Sequence, residues 1–196
     1  MGLNFWKKGR EEWGEEGCRC LFCSNFTFSP ICSHCLKELK TPPKFCREGN
    51  YFYFFRYEEI EPVLKLKYTS LGSWGLAQLA SVTFKLFPPL PFPVYSIPID
   101  PIPHRGFSHT AVLAKALPFK PIFGLVAQNR VSYAGKSRRF REENPRKFLY
   151  RGKRGIKGVV VDDLITTGTT FKEAVEVLER GEVEVLFGIF LATDQL

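Results

Sequence analysis

The 196-residue sequence has no run approaching the roughly 18 consecutive apolar residues of a membrane-spanning helix. Its opening stretch, MGLNFWKKGREEWGEEG, has no apolar centre of the kind a secretory signal needs, which predicts a cytoplasmic protein. Two nucleotide-binding signatures are missing as well. There is no G-x-x-x-x-G-K-[ST], so no P-loop, and no G-x-G-x-x-G, so no dinucleotide fingerprint. No internal repeat or low-complexity tract is present, which excludes solenoids and disordered spacers. Acidic residues are the minority charge, with 20 Asp and Glu against 28 Lys and Arg. The net charge of +8 implies an anionic partner: a phosphorylated small molecule, a nucleic acid or an acidic protein.

What remains is an ordinary globular composition, 44% apolar and 24% charged, of a length that suits one domain with a small appendage. The positive charge is concentrated. Between Lys136 and Lys157 there are ten Lys or Arg and two acids, an excess equal to that of the whole chain. Alternation of patterns along the chain predicts an α/β protein with a parallel sheet flanked by helices. Strands are expected at Tyr51–Glu59, Val94–Ile99, Pro121–Gln128, Val159–Val161 and Val183–Leu191. Helices are expected over Glu58–Phe87, broken near Leu71–Ser73, over Gly106–Leu117 with Ser108 as N-cap, and over Thr170–Arg180.

The segment VVVDDLITTGTT (Val159–Thr170) carries the chemistry. A parallel strand ending in polar residues puts them at the carboxyl edge of the sheet, where open α/β folds bind ligands. The turn Thr166, Thr167, Gly168, Thr169 and Thr170 leads into a helix, whose amino end offers backbone N–H groups to a phosphate. Carboxylates only accept hydrogen bonds, and a vicinal diol offers two donors. Asp162 and Asp163 beside a phosphate turn therefore suit a ribose 5-phosphate. The arrangement resembles the phosphoribosyl pyrophosphate signature of type I phosphoribosyltransferases.

The six cysteines fall in a compartment where disulfides are rare, so metal ligation is the better expectation. Cys20-x-x-Cys23 and Cys32-x-x-Cys35 form two knuckles of a four-thiolate zinc site, closed and structural. Cys18, Cys46 and His34 stand nearby as alternative ligands.

Taken together these segments resemble the ComF family of competence-associated proteins. That family has an N-terminal four-cysteine ribbon, an aromatic strand and a Leu-Lys-Tyr helix, similar to FFRYEEIEPVLKLKYTSLGSWGLAQLA here. It also has a strand, a loop and an Arg-Gly-Phe-Asn-Gln run, where this chain has Arg105, Gly106 and Phe107 followed by Ser108 and His109. RFREENPRKF (Arg139–Phe148) is similar to its R-x-x-N segment. The resemblance implies a zinc-ribbon module over residues 1–45 and a type I phosphoribosyltransferase-like domain over residues 46–196. It implies a site for phosphoribosyl pyrophosphate with Mg²⁺, in which Arg105 and Gly106 meet the pyrophosphate. The activity would be that of a glycosyltransferase, displacing pyrophosphate at the sugar C1. The basic segment would close over the reacting sugar. A different class of function is also implied, because the family is linked to DNA uptake. In that reading the chain is a non-catalytic adaptor for single-stranded DNA or a helicase-like partner, with the basic segment and the aromatics of Tyr51–Tyr57 as the contact surface. A ligand-sensing regulator on the same fold is a third, without a helix-turn-helix to support it.

Overall fold

The computed structural model describes residues 17–103, 107–129 and 143–195. Within these, a short ribbon of β1 (Cys18–Arg19) and β2 (Phe26–Thr27) leads into helix α1 (Ser33–Glu38). The body contains β3 (Lys44–Cys46), β4 (Tyr51–Arg56), α2 (Tyr57–Lys65), α3 (Ser70–Val82), β5 (Tyr95–Pro98) and α4 (His109–Ala116). It continues with β6 (Lys120–Pro121), β7 (Leu125–Ala127), β8 (Phe148–Tyr150), β9 (Ile156–Ile165), α5 (Thr169–Arg180) and β10 (Val183–Thr193). A six-stranded sheet runs in the order β3-β4-β10-β9-β5-β6. All its pairings are parallel except β3 with β4, so the α/β expectation holds.

Strand β9 lies at the centre and reads as a near-continuous apolar run, as a strand covered on both faces must. Its side chains alternate between two cores. Val159 and Val161 pack with Leu76, Leu79 and Leu113 from the α3 and α4 side. Val160 packs with Phe171, Ala174 and Leu178 of α5, together with Leu125 and Phe148 of the β7–β8 hairpin. Gly158 lets the strand start between neighbours. A Cβ there would stand 2.8 Å from Ile97 and 3.1 Å from Val183.

Several boundaries differ from the sequence expectation, each for a local reason. The break between α2 and α3 falls at Leu66–Thr69 rather than Leu71–Ser73, because Thr69 caps α3 by accepting a bond from the Gly72 N–H at 3.1 Å. The aromatic strand stops at Arg56, where Glu59 accepts a bond from the Arg56 N–H and opens α2. The expected strand over Pro121–Gln128 is two short ones, β6 in the main sheet and β7 in a separate hairpin with β8. Strand β9 is ten residues long and includes the acid pair, because β10 pairs with it as far as Ile165. Ser108 caps α4 as expected, accepting from the Ala111 N–H at 3.2 Å.

The cysteine module is bolted to the body. Gln78 of α3 exchanges two 3.0 Å hydrogen bonds with the backbone of Ile31, and the Ile31 side chain is buried in the main core. Strand β3, at residues 44–46, pairs with β4 inside the main sheet and spans the expected module boundary.

Candidate functional site

The carboxyl ends of β9 and β5 and the amino ends of α5 and α4 meet at one edge of the sheet. The turn after β9 depends on Gly168, whose φ of +74° is left-handed. A Cβ there would meet nothing within 4 Å, so glycine serves the backbone angle and not the space. Helix α5 has no acidic residue in its first turn and no side-chain cap. The hydroxyls of Thr167 and Thr169 lie 3.0 Å apart, and the Thr169 N–H reaches the Thr167 Oγ1 at 3.5 Å. Gly168 and Thr170 complete a turn whose donors collect at the positive end of the helix dipole.

The two acids occupy alternating strand positions and differ in burial, but their carboxylates stay within 4.8 Å of each other. Asp163 continues the face of Val159 and Val161, and Asp162 the face of Val160. Asp163 is buried, at 4% exposure. Its Oδ2 pairs with the Lys67 ammonium at 2.5 Å, and its Oδ1 lies 3.8 Å from His109 Nε2. Burial alone would raise its pKa. The charges of Lys67 and His109 override that and hold the carboxyl well below the usual range. Lys67 answers in kind: burial works against its charge, but Asp163 lifts the ammonium above its ordinary value. Asp162 is only partly buried, and its Oδ1 accepts the Asp163 N–H at 2.8 Å. Burial first, and then the negative charge of Asp163, push its pKa well above the ordinary value.

Lys67 and Tyr68 come from the turn between α2 and α3, and His109 opens α4. The Tyr68 ring meets the His109 ring edge-on at 5.5 Å, and the Lys67 ammonium sits 5.3 Å from the Tyr68 centroid. The sequence marked Leu-Lys-Tyr as a family landmark and His109 as a departure from the family's Asn-Gln, without placing either beside the acids. The available signal was a short polar turn, KYTS, set between two apolar helices. His109, Asp162 and Asp163 bring their ligand atoms within 4.8 Å of one another, a spacing a cation can bridge, but Lys67 already supplies a positive charge there.

Other expected contributors are distributed differently. Arg105 and Gly106, expected at the pyrophosphate, lie outside the described residues, as do Lys136, Arg138, Arg139 and Arg141 of the basic segment. The rest of that segment splits. The backbone N–H groups of Arg146 and Lys147 bond to Glu173 of α5 at 3.0 and 2.6 Å, near the site. Lys153, Arg154 and Lys157 sit at the opposite end of β9, bonded to Tyr95, Glu182 and Glu184. Lys157 is the second residue of β9 and Asp162 the seventh, so roughly 16 Å of strand lies between them, and Lys153 and Arg154 lie further back. These three stand at or just before the start of β9, and the strand runs away from them toward the acid pair.

The second cluster is in the ribbon. The thiols of Cys20, Cys23, Cys32 and Cys35 lie within 4.8 Å of one another. The Cys23 and Cys32 sulfurs are 3.7 Å apart, close to the ~3.8 Å edge of a tetrahedron with zinc–sulfur bonds of about 2.3 Å. Backbone N–H groups of Cys32 and Cys35 point at the Cys20 and Cys32 sulfurs at 3.4 and 3.5 Å. Burial would raise the Cys20 thiol, yet the backbone N–H groups around it bring it down to about 6. Burial and the neighbouring thiols push Cys35 up to about 12. Four sulfurs this close resist being ionised together unless a cation joins them, so the donor set fits a zinc ion. Cys18, Cys46 and His34 are not part of this cluster.

No protein-family model matches the chain. No curated protein matches it either. Among solved structures it is similar to the UMP synthase of Leishmania donovani, at 18% sequence identity and a TM-score of 0.39. That similarity covers 67% of this chain and 24% of the synthase chain, so this chain spans about a quarter of the protein it matches.

Proposed function

We propose that the chain binds phosphoribosyl pyrophosphate at the carboxyl edge of the sheet and belongs chemically with the type I phosphoribosyltransferases. The observation that carries this reading is the acid pair at the end of β9, followed at once by a glycine-pivoted threonine turn on the amino end of α5. The threonine turn, Thr166 to Thr170, takes the 5-phosphate through backbone N–H groups and hydroxyls. A carboxylate of the acid pair Asp162–Asp163 serves the ribose diol. The pyrophosphate extends toward the loop after β5, where Arg105 and Gly106 are expected to meet it. Mg²⁺ accompanies the ligand and supplies charge neutralisation of the pyrophosphate. The reaction is displacement at C1. An acceptor lone pair forms the new bond, and the C1–oxygen bond breaks with its electron pair leaving on pyrophosphate. Positioning and fixed charge do most of the work in such a step. We further propose that Cys20, Cys23, Cys32 and Cys35 hold one structural zinc ion.

The adaptor reading draws less support. It used Tyr51–Tyr57 as a stacking surface, but Tyr51, Phe54 and Phe55 are buried in the core. A link to DNA uptake rests on the family resemblance alone.

Calorimetric titration of phosphoribosyl pyrophosphate with Mg²⁺ tests the proposal. Wild type is expected to bind. Asp162→Asn is expected to weaken binding roughly 10- to 100-fold, as loss of a charged hydrogen bond does. Absence of binding by folded wild-type protein overturns the reading.

A further inference from the structure

The acid pair is usually one unit on paper, but here its members have different surroundings. Asp163 is almost fully enclosed, and both its oxygens face cationic or imidazole nitrogen. Its partners come from two other elements, Lys67 from the α2–α3 turn and His109 from the first turn of α4. One carboxylate therefore joins three chain segments at the edge of the sheet. Asp162 precedes Asp163 on β9, and its carboxylate lies within 4.8 Å of the Asp163 carboxylate and the His109 ring nitrogen. It is the more accessible acid, and one of its oxygens is fixed by the Asp163 N–H.

We propose that the pair divides its labour: Asp162 is the ligand-facing carboxylate, and Asp163 is a positioning residue that clamps Lys67 and His109 to the sheet edge. The identity of the ligand rests on the phosphoribosyl reading above; the clamp does not. A diol needs a carboxylate that can turn its lone pairs toward it. Asp163 would have to surrender a buried ion pair to do so, and that would leave the Lys67 ammonium without its counter-charge. Among the described residues, Asp162 holds no ion pair that it would have to surrender. The clamp sets the α2–α3 turn and the start of α4 as one wall of the pocket, so Asp163 acts on the ligand through the segments it holds.

The test is a double-substitution cycle with Lys67→Met and Asp163→Leu, singly and together, reading melting temperature and binding of phosphoribosyl pyrophosphate with Mg²⁺. Each single change strands a buried charge or an emptied polar pocket. Each is expected to lower the melting temperature by on the order of 10 °C. The combined change replaces the pair with apolar groups of similar size and is expected to recover most of that loss. It is also expected to keep binding within about tenfold of wild type, with Asp162→Asn losing more. Lys67→Arg retains the charge and is expected to keep both stability and affinity near wild type. Melting losses that simply add across the cycle overturn the clamp. A combined variant that regains its melting temperature but loses binding as fully as Asp162→Asn overturns the division of labour, because Asp163 then faces the ligand. Wild type that fails to bind the ligand strikes at the phosphoribosyl reading instead, and the melting cycle still judges the clamp.

Discussion

Two clusters of potential metal ligands lie among the described residues, and they resolve the same electrostatic problem in opposite ways. The ribbon gathers Cys20, Cys23, Cys32 and Cys35 within 4.8 Å without an internal cation among the group. The sheet edge gathers His109, Asp162 and Asp163 at the same spacing, and places Lys67 2.5 Å from one of the acids. Proximity of ligand atoms is therefore not a sufficient sign of a metal site. What distinguishes the two is whether the protein brings its own positive charge. Among the described residues the thiol cluster does not: no cationic side chain there is bonded to the thiols, and the four together fit a cation from outside. The acid cluster does, and keeps one carboxylate for other work.

The largest expected effect breaks the ribbon side of this comparison. Purified protein should contain one zinc per chain by atomic emission. Cys20→Ser, or stripping by a strong chelator, should remove it and lower the melting temperature by on the order of 10 °C or more, since structural zinc contributes directly to folding. The loss should reach the body, because Ile31 is a core residue held by Gln78 of α3. Protein that is zinc-free and unmoved by chelator would place the ribbon in the self-sufficient class.

A smaller effect separates the acid cluster by pH. Asp163 has a depressed folded-state pKa. Its contribution is present above the unfolded carboxylate value of about 4 and is lost as pH falls below it. Lys67 is raised. Its contribution is present below the unfolded value of about 10.5 and is lost as pH climbs beyond that. The pair should thus give a stability plateau between these limits, with an acid limb of at most about 1.4 kcal/mol per pH unit per proton taken up. In Lys67→Met the limb should flatten or reverse, because Asp163 is then a buried acid without a cation and prefers its proton. Urea unfolding from pH 3 to pH 7 reads this directly. An unchanged acid limb in the variant would mean that Lys67 does not govern Asp163.

Legibility differed between the two clusters for a physical reason. Cysteine knuckles are local: Cys20, Cys23, Cys32 and Cys35 fall within sixteen residues, so spacing and the family resemblance pointed to the set now found together, with Cys18, Cys46 and His34 left open as substitutes. The threonine turn is local too, and the sequence placed it at the strand-to-helix junction where it occurs. The clamp is not local. Lys67 is 96 residues from Asp163, and only the strand order β10-β9-β5 together with the crossing of α3 and α4 over one face brings them together. Charge density misled for a related reason. The stretch from Lys136 to Lys157 reads as one basic run, but β9 begins at Ile156 and carries its carboxyl end away from Lys153 and Arg154. Strand boundaries also shifted at the acids, since apolar pattern stops at Val161 while hydrogen bonding to β10 continues through Ile165.

The smallest effect sharpens the contrast within the acid pair itself. Asp162 has a raised folded-state pKa, caused first by burial and then by the charge of Asp163. Above the unfolded value of about 4, the unfolded chain gives up this proton more readily than the folded one, so stability falls as pH rises through that window. An asparagine in its place copies the shape of the protonated acid without that cost. Asp162→Asn should therefore be more stable than wild type at pH 7, by about 1 kcal/mol or a few degrees of melting temperature. The advantage should shrink toward zero near pH 4. The same variant should lose affinity for phosphoribosyl pyrophosphate, which is the pattern of a residue kept for a ligand at some expense in stability. Asp163→Asn should do the reverse at neutral pH and destabilise, because it unpairs Lys67. If both asparagine variants shift stability in the same direction, the two acids are equivalent, and the self-neutralised half of the comparison has to be redrawn around the pair as a whole.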